Sequence, residues 1–273
     1  MLQGFRTKGL FAVTVAALVG FGVLVGLGNW QWQRKVWKEE LIDTITKRAA
    51  AEPLQPDRWS SLNCRPVHEI GLGSSCEFTT VRLLGQFDHG GERHIFTNVP
   101  KKGGAPGGPG YWIFTPFDIA GGKGRMYVNR GFVPEARKDP ATRPEGQTHG
   151  EVEIIGQLRT AEQRGLFTGA SNQATNVWFL RDPRELLDAS HAGADALAPW
   201  QAREGGPGGL DFYIDQISPT PAGGLPSPRA AVIELPNRHL EYALTWWGLA
   251  VTLVGVYVAF IASRLRARGP QRL

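Results

Sequence analysis

The 273-residue sequence has only two cysteines, and it lacks several patterns that mark common classes of protein. Two cysteines are too few for a disulfide-dense miniprotein. The 35 glycines have no three-residue period, which excludes a collagen-like chain. Apolar residues make up 42% of the chain and the net charge is only +5, so a disordered chain is excluded as well.

Charge is missing from two long stretches, one near each end of the chain. The first contains Leu10–Leu27 (LFAVTVAALVGFGVLVGL), and the second is Tyr242–Ala262 (YALTWWGLAVTLVGVYVAFIA). As helices they would span roughly 27 and 31 Å, close to the hydrocarbon thickness of about 30 Å. The alternatives are buried core helices or, for the first stretch, a cleaved signal peptide with Gly26 and Gly28 near the cut. We predict transmembrane helices at residues 10–28 and 239–262.

Acidic residues are absent from both tails, residues 1–9 and 263–273. The tails carry +6 from six basic residues, and the remainder has 24 basic against 25 acidic residues, a net charge of −1. The positive-inside rule therefore predicts that both termini are cytoplasmic and that residues 29–238 lie outside. The charge of this middle region gives no basic footprint for nucleic acid, so membrane lipid is an expected partner and nucleic acid is not.

The middle region changes from a helical to a β pattern. An apolar stripe without Gly or Pro predicts that the first helix continues over residues 29–51. Alternating runs separated by Gly-rich turns then predict a mainly antiparallel β domain, a barrel or a sandwich, within residues 79–235. The predicted strands are Thr79–Phe87, His94–Val99, Tyr111–Ile119, Arg125–Val133, Val152–Arg159, Val177–Leu180 and Leu210–Ile217. A short helix is predicted at Pro183–Ala189, with Asp182 as its N-cap.

The two cysteines, Cys64 and Cys76, flank a loop of 11 residues. In an oxidising compartment one disulfide between them is the default, and two free thiols or a metal site are the alternatives.

Catalytic motifs are missing. The sequence has no GxSxG, no GxxxxGK[ST] and no CxxC. His89 and His94 stand with Asp88 and Glu92 in DHGGERH, a cluster that could bind a metal in an envelope hydrolase or metal enzyme. Near a hairpin turn, solvated polar side chains are the simpler interpretation.

Polar and aromatic residues gather at the predicted outer membrane boundary. His239, Tyr242 and Trp246 are spaced i, i+3, i+7 and share one face at the start of the second span. An imidazole beside an aromatic, apolar slot suits an axial ligand to haem, and Arg238 could meet a propionate. The simpler alternative is a histidine at the membrane interface whose side chain is hydrated and binds no ligand.

Four motifs occur in the order found in the Surfeit locus protein 1 family, and together they resemble it from end to end. They are GNWQWQRKVWKEELI at 28–42, YVNRGFVP at 127–134, NVWFLRD at 176–182 and HLEYALTWW at 239–247. Phe132 and Trp247 stand where the family usually has Trp and Tyr. The two-span topology agrees with the resemblance.

The resemblance implies a bacterial inner-membrane assembly factor, without enzyme activity, for haem-copper oxidases, chiefly cytochrome c oxidase. It implies that haem a is bound as cargo, with His239 as axial ligand. We expect Trp30, Tyr242 and Trp246 to bury the macrocycle. The catalytic oxidase subunit and haem a synthase are the implied partners. The alternative is a membrane scaffold that holds an oxidase subunit without haem. The family motifs also carry over onto Gln31, Arg34, Asn129, Arg130 and Gly131.

Overall fold

The structure is a computed structural model that describes residues 2–55, 58, 62, 64, 74–101, 106–122, 124–188, 211–228 and 237–266, with the side chains of residues 2–9 and 187–188 outside the description. Parts of four predictions therefore lie outside the described residues: most of the loop between Cys64 and Cys76, residue 189 of the short helix, residue 210 of the last strand and residues 267–273 of the second tail. The chain divides into two compact units, residues 1–42 with 234–273 and residues 43–233.

The first unit contains two long helices, of which the first continues into the second unit through residues 43–50. Helix α1 spans Leu2–Ala50, and the last helix, α3, spans His239–Arg266. Both are long and apolar enough to cross a membrane, and only 0% and 6% of the residues in their apolar windows are buried. Core helices of a soluble protein would bury most of these side chains. The chain is therefore a membrane protein with two candidate transmembrane helices.

Helix α1 is continuous beyond its apolar segment, as the stripe of apolar residues predicts. It ends at Ala50, just before Pro53, which cannot continue a helix. At the other end, the residues predicted as a tail, 1–9, are helical from Leu2 onward. Helix α3 likewise extends past the predicted residue 262 to Arg266.

Small residues allow the two helices to pack closely. A side chain on Gly28 would overlap the indole ring of Trp247, and one on Gly20 would lie 3.3 Å from Leu253. Trp32 contacts Trp247 with a ring-centroid distance of 6.1 Å. Close approach at small residues is a common way for helices to associate in a membrane, where the hydrophobic effect contributes little.

The second unit is a mixed, mostly antiparallel sheet of six strands. The strands are β1 (Thr80–Phe87), β2 (Arg93–Val99), β3 (Gly108–Ile119), β4 (Arg125–Pro134), β5 (Val152–Thr160) and β6 (Phe212–Ser218). Their order is β1-β5-β6-β4-β3-β2, and β1 also pairs with β3. This last pairing closes β1, β5, β6, β4 and β3 into a ring, which makes the domain barrel-like rather than a sandwich.

One strand pairing is parallel, and one predicted strand is absent from the sheet. Strands β4 and β6 pair in parallel through Val128 with Ile214 and Asn129 with Asp215.

The segment predicted as a strand at Val177–Leu180 makes only isolated bridges, such as Trp178 with Ile95 on β2. It is too short to add a strand, but it does cover the outer edge of β2.

Apolar side chains from the strands fill the interior of the ring. Val81, Leu83, Phe117, Val128 and Ile214 are fully buried in the largest cluster. The alternation of apolar and polar residues is weak in β4, whose interior positions are nearly all buried. Both of its faces are therefore covered by other parts of the domain.

The described part of this unit also contains a disulfide, a short α-helix and four 3-10 helices, which span His89–Gly91, Glu135–Arg137, Pro140–Thr142 and Pro144–Gly146. Cys64 and Cys76 are bonded, with their Cα atoms 5.2 Å apart. Cys76 packs against the largest apolar cluster. Helix α2 spans Pro183–Asp188, and Asp182 caps it by accepting a hydrogen bond from the Arg184 backbone N–H at 2.9 Å.

Candidate functional site

His239 is the first residue of α3 and makes a polar contact with α1. Its Nδ1 lies 2.8 Å from Oε1 of Gln31. Because an amide oxygen can only accept a hydrogen bond, Nδ1 carries the hydrogen in this contact. Gln31 lies three residues after Gly28, the point where α1 comes close to Trp247. The close packing of the helices therefore brings the two side chains within reach.

The second ring nitrogen of His239 keeps its lone pair. When Nδ1 is the donor of a neutral imidazole, Nε2 is an acceptor or a metal ligand. Within the described residues, no hydrogen bond to Nε2 is found, and the side chain is half-buried. The arrangement is that of a ligating histidine whose other nitrogen is held by an orienting partner.

The residues of the second span that are predicted around His239 differ in their exposure. Trp246 is half-buried and, seven residues after His239, lies on the same face of α3. Tyr242 is 54% exposed and lies at the edge of that face. Arg238 is exposed and directly precedes the helix.

Trp30, which we expect from the sequence to cover a haem, does not face the contact between α1 and Trp247. It lies 200° around α1 from Gly28 at 100° per residue, which turns it away from the Trp247 contact, and it is 55% exposed. Trp32, four residues after Gly28, is the tryptophan of α1 that contacts Trp247. The family motif already selects Gln31, and a step of four from Gly28 would have selected Trp32 as well.

Basic residues follow Gln31 along α1. The Arg34 guanidinium lies 3.8 Å from the ring centroid of Trp37, and the Lys35 ammonium lies 5.0 Å from that of Trp32. Lys35 also pairs with Glu39 at 2.7 Å. Cation–π contacts hold both charges beside aromatic rings. Lys35 already has Glu39 as its anionic partner, whereas the contact of Arg34 with Trp37 leaves its charge able to meet an anion.

Asn129 of the central motif has a closed set of partners in the sheet domain. Its Nδ2 donates to Asp215 on β6 at 2.8 Å, and its Oδ1 accepts from the backbone N–H of Gly131 at 3.1 Å. Asp215 also accepts from Arg159 at 2.9 Å. Asn129 thus joins β4 to β6 beside their parallel pairing.

Gly131 occupies a β-bulge in β4. The register with β3 shifts between Trp112 and Phe114, so that Ile113 faces two residues of β4. Gly131 has φ +122°, and a Cβ there would overlap the carbonyl group of Ser227. Only glycine meets both requirements.

Arg130 is buried against the ring of Phe87, with 4.5 Å between its guanidinium carbon and the ring centroid. It donates to the backbone carbonyl of Gly146. Burial lowers the pKa of Arg130 to about 10, although the charge of Glu92 opposes this. The residue ties β4 to the loop that follows it.

The DHGGERH segment does not form the metal cluster considered from the sequence, and its polar residues are not all solvated. Glu92 and His94 are buried, with His94 Nε2 donating to Glu92 at 2.7 Å. Arg143, also buried, donates to both oxygens of Glu92. Among the described residues, no group of three or more His, Cys, Asp or Glu side chains could hold a metal ion.

The charge of Glu92 is fixed by these two donors. Burial alone would raise the pKa of Glu92, but the hydrogen bonds from His94 and Arg143 and the charge of Arg143 lower it to about 2. Arg143 comes from a Pro-rich loop without a periodic pattern, so sequence reasoning had no signal by which to select it. The group is a buried ion pair that fixes this loop to β2.

Comparisons with known proteins match most of the chain. A model of the SURF1 family covers residues 18–251, from inside the first apolar stretch to inside the second. Surfeit locus protein 1 of Takifugu rubripes is 30% identical over 251 residues, which is 88% of this chain and 93% of that protein. Surfeit locus protein 1 of Homo sapiens is 32% identical over 235 residues, covering 82% and 69%. The SURF1-like protein of Drosophila melanogaster is 30% identical over 253 residues, covering 88% and 74%. This chain therefore belongs to the SURF1 family.

Proposed function

We propose that this protein is an assembly factor for a haem-copper terminal oxidase, chiefly cytochrome c oxidase. In this role it binds haem a as cargo and aids its insertion into the catalytic subunit. Membership of the family supports the oxidase as target. The single observation that supports haem binding is the contact of His239 Nδ1 with Gln31, which leaves Nε2 as a ligand.

The residues around His239 fit a haem. Nε2 would supply the axial ligand, and bound haem would offer its iron to this nitrogen. Trp246 shares the histidine face, and the exposed ring of Tyr242 extends the apolar surface at its edge. Arg34 and the exposed Arg238 are cations that suit the two propionates.

The structure of the site suits a carrier. One histidine with a partly exposed ring offers one axial bond, whereas a closed site with two protein ligands would hold haem permanently. A carrier must release its cargo, so weak and reversible ligation is an advantage. No chemical conversion of the haem is required, and the proposed role is not enzymatic.

The proposed location is the inner membrane of a bacterium, with both termini in the cytoplasm and the sheet domain in the periplasm. The basic tails support this topology, and Arg264 and Arg266 stand in the last turn of α3. The disulfide between Cys64 and Cys76 agrees with an oxidising compartment. Reporter fusions should place residue 150 outside and residue 270 inside, and the reverse result would contradict the topology.

Partners follow from the proposed role. The catalytic subunit of the oxidase would receive the haem, and haem a synthase would supply it. Co-purification of the full chain with each partner, with and without haem a synthesis, tests whether the contacts depend on cargo.

The central experiment is expression of the full chain together with haem a synthesis, followed by absorption spectroscopy of the purified protein. We expect a Soret band that falls by more than tenfold in His239→Ala. His149→Ala is the matched control, since His149 is an exposed histidine of the sheet domain. An unchanged haem load in His239→Ala would contradict the ligand assignment. Binding of the catalytic subunit without any Soret band would favour a scaffold without haem.

A further inference from the structure

We infer that Gln31 is a positioning residue that selects the tautomer of His239 and aims its Nε2 at the haem iron. This inference rests on the proposed function, because it concerns how the proposed ligand is prepared. Its basis is the 2.8 Å contact between Gln31 Oε1 and His239 Nδ1.

The helix packing places Gln31 where it can act. Gly28 brings α1 against Trp247 of α3, and Gln31 lies one turn further along α1. His239 starts α3, eight residues before Trp247. Because α1 and α3 run in opposite directions, Gln31 and His239 both lie to the same side of the Gly28 contact. Gln33 is exposed and lies 200° around α1 from Gln31, so it provides a matched control.

The chemistry of the contact selects one tautomer. A neutral imidazole has one N–H, and an acceptor fixed at Nδ1 holds the hydrogen there and leaves the Nε2 lone pair free. It also fixes the rotation of the ring, so that Nε2 has a single direction. Orienting partners of this kind are typically worth 10–100-fold in metal affinity.

Gln31 has an uncharged side chain, which suits transient binding of haem. A carboxylate at this place would draw the Nδ1 hydrogen more strongly, raise the basicity of Nε2 and strengthen the axial bond. An amide oxygen fixes the same tautomer with less effect on the ligand. Gln31 thus orients the histidine without making the haem bond too strong for release.

The test uses the full chain with Gln31→Leu, Gln31→Glu and, as control, Gln33→Leu. In the haem-free protein, ¹⁵N NMR of the His239 imidazole reports the tautomer. We expect an Nδ1–H signal in the starting protein, Gln31→Glu and Gln33→Leu, and an increased Nε2–H population in Gln31→Leu. This measurement does not depend on haem.

In the haem-loaded protein we expect Gln31→Leu to weaken haem binding by about 10–100-fold. Gln31→Glu should retain haem, raise the iron–histidine stretching frequency and lower the midpoint potential of the haem. A purely structural role for Gln31 would not produce opposite shifts for the neutral apolar and the anionic variant.

The outcomes separate this inference from the proposed function. If Gln31→Leu keeps the Nδ1–H tautomer and the haem affinity while His239→Ala loses haem, Gln31 is not the positioning residue and the proposed function stands. If His239→Ala keeps its haem, both the ligand assignment and this inference are overturned. Loss of haem in both variants, with the tautomer shift in Gln31→Leu, supports both.

Discussion

The two units of this protein differ in how completely their polar side chains are hydrogen-bonded. In the sheet domain, buried Glu92 and Asp215 each accept hydrogen bonds from two side-chain partners, Arg143 with His94 and Asn129 with Arg159. In the helix pair, His239 has a described partner at only one ring nitrogen. The buried carboxylates therefore have a structural role. A partly exposed imidazole with one nitrogen held and the other without a described partner is the arrangement on which the proposed haem binding rests.

Removal of a polar partner should also cost more free energy in the sheet domain than in the helix pair. Buried charges have lost their hydration, so removal of one partner leaves the other uncompensated at a high cost. Between the helices, packing depends on glycines and on a hydroxyl contact between Thr14 and Tyr257 at 2.7 Å. A single hydrogen bond between membrane helices contributes little, because the separated helices find other partners.

The largest expected effect comes from Glu92→Leu. It leaves Arg143, which is only 1% exposed, without its counter-charge. We expect the free energy of unfolding of the sheet domain to fall by about 3–5 kcal/mol. Glu153→Leu is the control, because the pair of Glu153 with Arg82 is exposed and should cost below about 1 kcal/mol. Denaturant unfolding measures both, and equal losses would contradict the distinction between buried and exposed pairs.

The same carboxylate predicts a dependence on pH. The pKa of Glu92 is lowered to about 2 from an ordinary value of 4.5. A lowered pKa means that the charged form stabilises the fold, so this contribution is complete above about pH 4.5 and is lost as the pH falls towards 2. We expect the stability difference between the starting protein and Glu92→Gln to narrow over this interval. A constant difference from pH 6 to pH 2 would show that the charge does not contribute.

The next effect in size is that of Gly131→Ala. A side chain there meets the Ser227 carbonyl group and also has to adopt φ +122°. We expect a loss of about 2–4 kcal/mol in the free energy of unfolding. Gly122→Ala shares a positive φ, +66°, but nothing lies within 4 Å of the added carbon, so about 1 kcal/mol is expected. Thermal unfolding of both variants separates the overlap from the backbone strain.

The smallest effect belongs to the helix pair. Tyr257→Phe removes the hydroxyl contact with Thr14, while Thr14 keeps its hydrogen bond to the carbonyl of Leu10 at 2.9 Å. We expect a coupling energy of about 0.6 kcal/mol in a double-mutant cycle with Thr14→Val. A coupling above about 2 kcal/mol would contradict the comparison drawn above, since the helix pair would then depend on polar contacts as the sheet domain does.

Much of the fold follows from local sequence patterns. The two uncharged stretches and the apolar stripe over residues 29–51 each predict a helix found in the structure. The run Arg125–Val133 also predicts a strand, and this strand is found as β4, although its alternation is weak because both of its faces are buried. The exception, Val177–Leu180, has strand-forming residues, but only isolated bridges form there. Strand propensity reports how well a residue fits a sheet, and it does not decide whether a partner strand is available.

Contacts between distant elements could not be predicted in the same way. The β1–β3 pairing that closes the ring and the parallel β4–β6 pairing depend on residues far apart in sequence. The same holds for Arg143 with Glu92, 51 residues apart, and for Gln31 with His239, 208 residues apart. Helical spacing places His239 and Trp246 on one face, but the choice between Trp30 and Trp32 required the position of α3.

The insertion of the sheet domain between the two helices has a consequence for folding. Residues 43–233 form one unit, and the chain on both sides belongs to the helix pair. While the helices stay paired, the unfolded insert is a closed loop of about 190 residues. By the chain-entropy model, joining the ends of such a loop lowers the conformational entropy of the unfolded state. This raises the free energy of the unfolded state by about 5 kcal/mol, as a covalent cross-link would. The membrane helices thus act as a non-covalent cyclisation of the domain between them, and the domain should be less stable when it is produced without them.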